Sequence, residues 1–364
     1  MDVQLPAELW LQIGGHLPRA DLNRLVRTSH AFHSLLLPRL YREIVLCGPY
    51  EGAIDRAERL QAIRDRLERI SEKSELVPAI RSCRLYKLEG TLLEEVITFL
   101  GKLPNLSGLF LNDLTLEAEQ LIRLSKSWRS PIEFAASFIT IKPFDLPPSV
   151  IKETAPNLSS LTISNATSWS FFVQWSFSAN LETLKFGAHP EPMLDALFEE
   201  HIGALPKVSF PRLKSLCLFA LPNRENQGRF FDCMPMLENL YLIPGAHTTC
   251  RRPLNLSQTA IPRLRHYDGL VTNVLSLVPR RPVQHLGLSG QDELPTLWGS
   301  HTSPVPNFGS TSAIRYLYLQ PTADPLPSLQ LLALVCPSLY ELRFTRPHTF
   351  RLSAVSLQFW PYIV

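Results

Sequence analysis

The chain has 364 residues, of which 45% are hydrophobic and 19% are charged, so it can bury a sizeable core without disulfide or metal staples. Its formal net charge of +3 is too small to indicate a nucleic-acid-binding protein, which needs a clustered basic surface. There is no basic and apolar leader and no run of about 18 apolar residues, so we expect neither a signal peptide nor a membrane span.

The N-terminal segment, residues 1–46, predicts a small domain of three short helices. The first runs from about Ala7 to His16, and Pro18 follows it. Asp21 is a candidate N-cap for a second helix that ends near Thr28, and Ser29 is one for a third helix that ends before Pro38. Because a unit of this size is marginal alone, it must pack on the rest of the chain or on a partner.

The order and spacing of the residues in this segment resemble the F-box motif, in the form common in fungal proteins. The motif positions are Leu5, Pro6, Glu8, Leu9, Ile13, Leu17, Pro18, Asp21, Leu22, Leu25, Ser29, Leu40, Tyr41 and Arg42. The resemblance implies docking on the Skp-family adaptor of cullin–RING ubiquitin ligases. It implies an adaptor-binding surface made by Leu5, Pro6, Leu9, Ile13, Leu22, Leu25 and Val26.

Two features depart from the family pattern. Gly14 and Gly15 replace bulkier residues near the end of the first helix, and Thr28 and Phe32 stand where the family often has Val and Trp. The alternative is therefore that the helices only cap the downstream domain and bind no partner.

Residues 47–76 are predicted to form a connector. Within it, residues 55 to 73 show one apolar stripe on an otherwise charged helix, which is typical of a helix packed on the edge of a domain. The stripe consists of Leu60, Ile63, Leu67 and Ile70.

The remaining residues, 77–364, contain a repeated frame in which apolar residues follow a proline by two, five and seven positions. LPNLSGLFL shows it with Pro104, Leu106, Leu109 and Leu111. The frame returns in APNLSSLTI, FPRLKSLCL, MPMLENLYL and CPSLYELRF, and without the proline in ANLETLKF, PVQHLGL and AIRYLYL. It is weak around Pro262 and can only be guessed near Pro131.

The mean spacing of these frames is about 26 residues, which lies within the range of leucine-rich repeats. Each frame is a short strand that cannot cover its own apolar face, so neighbouring strands must stack into a parallel sheet. Stretches such as LEEVITFLGK and EPMLDALFEEHIGAL predict helices on the apolar side of that sheet. We therefore expect an α/β fold, an irregular leucine-rich-repeat solenoid (a horseshoe), which resembles that of F-box proteins with such repeats.

The strand residues that alternate with the inward ones should face solvent and are the predicted target-binding surface. They include Phe110, Phe219, Tyr241, Tyr316, Tyr318 and Arg343. Aromatic and arginine side chains are enriched in binding hot spots. The alternative is a register shifted by one residue, which would turn these aromatic rings into the core.

No motif for an enzyme, a nucleotide or a metal is found, and we expect no cofactor, no metal and no bound nucleic acid or membrane. Cys233, His247 and Cys250 lack a fourth ligand, and the pairs Arg251–Arg252 and Arg280–Arg281 are interpreted as solvated loop charges. The unclustered cysteines favour a cytoplasmic or nuclear protein.

The predicted function is that of a non-catalytic substrate receptor of an SCF-type (Skp–cullin–F-box) ubiquitin ligase. It would hold the adaptor with its helices and a target protein with its repeats. A leucine-rich scaffold outside any ligase is the first alternative, and an enzyme built on the repeats is the second.

Overall fold

The structure is a computed structural model, and it describes residues 5–49, 55–128, 132–142, 157–166, 172, 175–176, 178–187, 210–219, 224–243, 254, 256–289, 306–319 and 326–344. The chain forms two compact units, Met1–Ser178 and Ala179–Val364.

Unit 1 begins with three helices: α1 Ala7–His16, α2 Arg19–Val26 and α3 His30–Leu40. Ser29 is the N-cap of α3 as predicted, because its Oγ accepts a hydrogen bond of 3.2 Å from the backbone N–H of Phe32. The predicted N-cap at Asp21 is wrong, since α2 begins directly after Pro18 and Asp21 lies in its first turn. The predicted end before Pro38 is also wrong, because α3 contains that proline.

The two glycines of α1 allow this helix to approach α3 closely. A Cβ atom on Gly14 would lie 2.9 Å from the side chain of Leu36, and one on Gly15 would overlap the guanidinium of Arg39. Arg39 crosses over Gly15 to donate a hydrogen bond of 2.7 Å to the carbonyl of Leu11. The departure from the family pattern at these glycines therefore has a packing reason.

Five parallel strands follow in unit 1, and each pairs with the next one in the chain: β1 Glu43–Cys47, β2 Ser82–Tyr86, β3 Gly108–Glu117, β4 Ile132–Lys142 and β5 Leu158–Ser164. Helices α4 Arg56–Glu72, α5 Gly90–Leu100 and α6 Ala118–Ser127 lie between successive strands in sequence. Strand β1 was not expected from the sequence. The amphipathic helix predicted for the connector is α4, and it stands between β1 and β2 just as α5 stands between β2 and β3.

Unit 2 repeats this pattern with seven strands, also parallel and in sequence order: β6 Thr183–Phe186, β7 Ser215–Leu218, β8 Asn239–Leu242, β9 His266–Leu270, β10 His285–Ser289, β11 Tyr316–Leu319 and β12 Glu341–Phe344. Its described helices are α7 Arg224–Asp232, α8 Val274–Leu277 and α9 Leu326–Val335. Short 3₁₀ turns occupy Val77–Ala79 in unit 1, and Val271–Asn273 and Pro306–Gly309 in unit 2. The helix expected within EPMLDALFEEHIGAL lies outside the described residues.

The predicted α/β fold class is confirmed, because within each unit parallel strands follow one another in sequence order with helices between them, as in a solenoid. The repeated frame also has the correct register, since its inward positions are buried in strand after strand: Leu109 and Leu111, Leu161 and Ile163, Leu216 and Leu218, Leu240 and Leu242, Leu317 and Leu319. The alternative register, shifted by one residue, is therefore wrong.

The two weak frames have separate physical reasons. Near Pro131, the strand residues that pair with Leu109 and Leu111 are Phe134 and Ala136, closer to that proline than the frame allows. In β9, Tyr267 takes an inward leucine position, and its hydroxyl donates a hydrogen bond of 2.9 Å to the carbonyl of Leu270. A Cβ on Gly269 would lie 2.6 Å from that hydroxyl, so the larger ring needs a glycine two residues later.

The interpretation of Arg280–Arg281 as solvated charges is half wrong. Arg280 is exposed, but Arg281 is only 2% exposed. Its guanidinium donates hydrogen bonds of 2.9 to 3.3 Å to the carbonyls of Ser257, Ala260, Ser276, Leu277 and Pro279. The last three carbonyls belong to the C-terminal end of α8 and the residues after it, where a cation is favourable. Arg251 and Arg252 lie outside the described residues.

Candidate binding surfaces

The first candidate surface is the apolar face of α1 in unit 1. The side chains of Leu5, Leu9 and Ile13 are about two-fifths exposed, at 40%, 42% and 39%. Leu9 and Ile13 are spaced four residues apart, so they lie on one side of the helix, and Leu5 and Pro6, which come just before its first residue, are exposed as well. Large apolar side chains that are exposed together mark interaction sites.

The predicted adaptor-binding residues divide into two groups. Leu5, Pro6, Leu9 and Ile13 are on the surface, and Leu25 is half-buried. Leu22 and Val26 instead form the core of the helical unit together with Leu36. Leu25, Phe32 and other half-buried apolar side chains pack against this core. Their placement gives Leu22 and Val26 a direct role in holding the helices together.

The second kind of candidate surface is the solvent-facing side of the strands within a unit. In unit 1, the guanidinium of Arg84 on β2 lies 4.8 Å from the ring centre of Phe110 on β3. The same guanidinium forms an ion pair with Glu43 on β1. Phe110 is half-buried, as expected for an outward residue of a strand.

In unit 2, the outward residues of β8 to β12 form two rows, because the strands pair in register. One row is Asn239, His266, His285, Tyr316 and Glu341. Its rings stack, with centres 5.5 Å apart from His266 to His285 and 4.3 Å apart from His285 to Tyr316. We call these three rings the ring row.

The other row lies two residues further along each strand and consists of Tyr241, Asp268, Gly287, Tyr318 and Arg343. The Arg343 guanidinium lies 5.7 Å from the ring centre of Tyr318 and also pairs with Glu341. The predicted target-binding residues Tyr241, Tyr316, Tyr318 and Arg343 are therefore brought together on one face. Phe219, directly after β7, is half-buried, and Phe110 belongs to unit 1.

Sequence reasoning missed three polar members of this face: His266, Asp268 and His285. His266 and Asp268 could have been found from the weak frame after Pro262, because they occupy the positions of that frame that alternate with the inward ones. His285 follows the frame of PVQHLGL in the same way.

Burial sets the charge of these groups. It lowers the pKa of His266 to about 4, with the neighbouring His285 as a second cause, and it also lowers the pKa of His285. Both imidazoles are therefore neutral at physiological pH. Partial desolvation raises the pKa of Asp268, although this residue is still exposed to solvent, and burial raises the pKa of Tyr241 with further contributions from Asp268, Cys217 and Tyr318.

Comparison with known families finds an F-box-like domain in residues 3–47, which supports an F-box protein. The matched segment comprises α1, α2 and α3 and ends with strand β1. No curated protein sequence matches the chain. None of the helices that the structure describes has the length and apolar character needed to span a membrane.

Proposed function

We propose that the protein is a substrate-receptor subunit of an SCF-type ubiquitin ligase, of the fungal F-box type with leucine-rich repeats. It binds a Skp-family adaptor through its helical unit and a target protein through the outward face of its strands. The observation that carries the proposal is that the F-box-like domain presents exposed apolar side chains on α1.

The adaptor-binding side rests on what the helices leave uncovered. Their core is already formed by Leu22, Val26 and Leu36, so Leu5, Leu9 and Ile13 are not needed to hold the unit together. An adaptor that covered these side chains would remove their apolar surface from water, at about 25 cal/mol per Å². Leu25 lies half-buried beside the core and would be covered less completely.

The target-binding side rests on the ring row and on the row that contains Tyr241 and Tyr318. A strand face that served solubility alone would carry lysine and glutamate. The outward face of unit 2 instead carries half-buried aromatic side chains, and tyrosines in particular are enriched in binding hot spots.

The mechanism assigned to the chain is proximity. A receptor that holds adaptor and target at once converts an encounter between enzyme and target into a reaction within one assembly. Ubiquitin transfer is then the work of other subunits, and the chain acts in the cytoplasm or the nucleus.

A second candidate function is a repeat scaffold in which the helices serve only as a cap. The observation that favours it is strand β1, which follows α3 at once and pairs with β2, so that the helical unit continues directly into the sheet. Adaptor binding separates the two functions, because a cap has no reason to bind an adaptor.

The test is co-purification of the adaptor from cells with the tagged full chain, compared with the double variant Leu9→Ala, Ile13→Ala. The proposal predicts that the wild type retains the adaptor and that the double variant loses it while remaining folded. Leu334→Ala is the matched control, because Leu334 is a leucine 58% exposed in the other unit. A wild type without adaptor, or a double variant that retains it fully, contradicts the proposal.

A further inference from the structure

Asp268 is the acidic residue in the middle of the outward face of unit 2. Register places Tyr241 beside it on β8 and Gly287 beside it on β10, and Tyr318 follows Gly287 on β11. The carboxylate is thus set in a row with a tyrosine on each side. We call this group of four residues the Asp268 site.

Gly287 makes room for the carboxylate. A Cβ atom at this position would lie 2.6 Å from both Cγ and Oδ1 of Asp268, so the carboxylate extends across the glycine, where any other residue would place its side chain. Gly287 itself is buried, while Asp268 is exposed. The glycine therefore lets the carboxylate lie between the tyrosines and remain open to solvent.

No cation of the described chain neutralises this carboxylate. Among the residues that the structure describes, the Asp268 side chain forms no ion pair and no hydrogen bond, and the adjacent His266 and His285 are neutral because burial lowers the pKa of both. Two cations share its row, Arg343 on β12 and Lys185 on β6, and each is three strands away. Arg343 is engaged with Glu341 and with the ring of Tyr318. At about 4.8 Å per strand, both are too far to pair with Asp268.

We infer that the Asp268 site binds a lysine or arginine side chain of the target protein, a conclusion that rests on the proposed target-binding function of this face. A cation above Gly287 would pair with the carboxylate and lie beside the aromatic rings, which attract cations through their faces. The contact between Arg343 and Tyr318 shows within the protein that this ring accepts a guanidinium. The partial desolvation that raises the pKa of Asp268 also strengthens its attraction to a cation.

The inference is tested with capped tripeptides as probes, because the target is not identified. Ac-Gly-Arg-Gly-NH₂ and Ac-Gly-Lys-Gly-NH₂ are titrated into the isotope-labelled full chain, followed by the backbone amide signals of Asp268 and Gly287. Their neutral counterparts contain citrulline and acetyl-lysine. We expect at least one cationic peptide to bind about tenfold more tightly than its neutral counterpart, the effect of one charge-assisted contact.

Asp268→Asn should remove this difference, since it keeps the shape of the side chain and deletes the charge. Asp113→Asn is the matched control, because Asp113 is an exposed aspartate in unit 1 that pairs with Lys87, and it should keep the difference. Gly287→Ala displaces the carboxylate and should therefore also weaken the binding of the cationic peptide. Equal binding of cationic and neutral peptides to the wild type, or an undiminished difference in Asp268→Asn, overturns the inference.

The failure of this inference is distinguishable from failure of the proposed function. If Tyr318→Ala abolishes target capture while Asp268→Asn leaves peptide discrimination intact, the face binds a target and the cation site is wrong. Adaptor co-purification is read in parallel with every variant, and it depends on the N-terminal helical unit rather than on the strand face of unit 2.

Discussion

Arg281 is the residue whose loss should destabilise unit 2 most clearly. Arg281→Met keeps an unbranched apolar stem but removes the guanidinium, and with it all five hydrogen bonds to the carbonyls of the loop before β9 and the end of α8. Burial already lowers the pKa of Arg281, yet an arginine stays charged in proteins, so these are charge-assisted bonds.

The expected loss of unfolding free energy is about 4 kcal/mol. A net hydrogen bond to a charged group contributes about 1.5 to 3 kcal/mol, and each buried carbonyl left without a donor costs about 1 to 3 kcal/mol. Five bonds would give more than this by simple addition. Three of them share one nitrogen, however, and the variant no longer has to desolvate a guanidinium, so the sum is reduced.

The assay is urea unfolding followed by circular dichroism, with hydrogen exchange of β9 and β10 to locate the change in unit 2. Arg280→Met is the matched control, because the neighbouring Arg280 is exposed, and it should stay within about 0.5 kcal/mol of the wild type. Arg281→Lys should fall between the two, since an ammonium reaches fewer carbonyls. If Arg281→Met is as stable as Arg280→Met, the buried network has no energetic role and the reasoning is refuted.

Three further outcomes follow from the structure. Tyr241→Ala and Tyr318→Ala should lower target capture and cost less than the 3 to 5 kcal/mol typical of a core aromatic, measured by thermal unfolding; a loss of that full size would place the rings in the core. In the unfolded chain His266 takes up a proton near pH 6.5, whereas in the folded protein its ring has a pKa of about 4. The contribution of the neutral ring to the free energy of unfolding should therefore be complete above pH 6.5 and be lost as the pH falls toward 4. The loss of unfolding free energy is at most about 3 kcal/mol, and it is smaller because the ring is partly exposed. Urea unfolding at pH 7 and pH 5 measures this loss, and His266→Phe should reduce it. A loss as large in His266→Phe as in the wild type contradicts the assignment. Gly48→Ala would place a Cβ atom 2.0 Å from a backbone carbonyl after β2, so the free energy of unfolding of unit 1 should fall by about 1 to 3 kcal/mol. An unchanged melting temperature would contradict this expectation and show that the ends of β1 and β2 can move apart without cost.

Much of the fold was accessible from the sequence because its signals are local. Each frame spans only nine residues, so inward leucines such as Leu109, Leu240 and Leu317 could be assigned before any strand pairing was known. Strand β1 escaped because it stands alone between α3 and Gly48, and its nature depends on pairing with β2, almost 40 residues later.

The candidate sites were less accessible, since they depend on which strands become neighbours. Tyr241 and Tyr318 were found as outward residues, but their joint surface with Asp268 required the register of four strands. Likewise, the sequence does not show that Arg281 turns inward to meet carbonyls of two different segments, while Arg280 next to it stays in solvent.

Adaptor binding is tested directly by isothermal titration calorimetry of the purified full chain with a purified Skp-family adaptor. We expect a saturable one-to-one complex that the double variant Leu9→Ala, Ile13→Ala weakens at least about a hundredfold, as expected for two hot-spot truncations, while Leu334→Ala leaves it unchanged. No heat of binding with the wild type, or equal affinity for wild type and double variant, would contradict the assignment of this chain as an adaptor-bound substrate receptor.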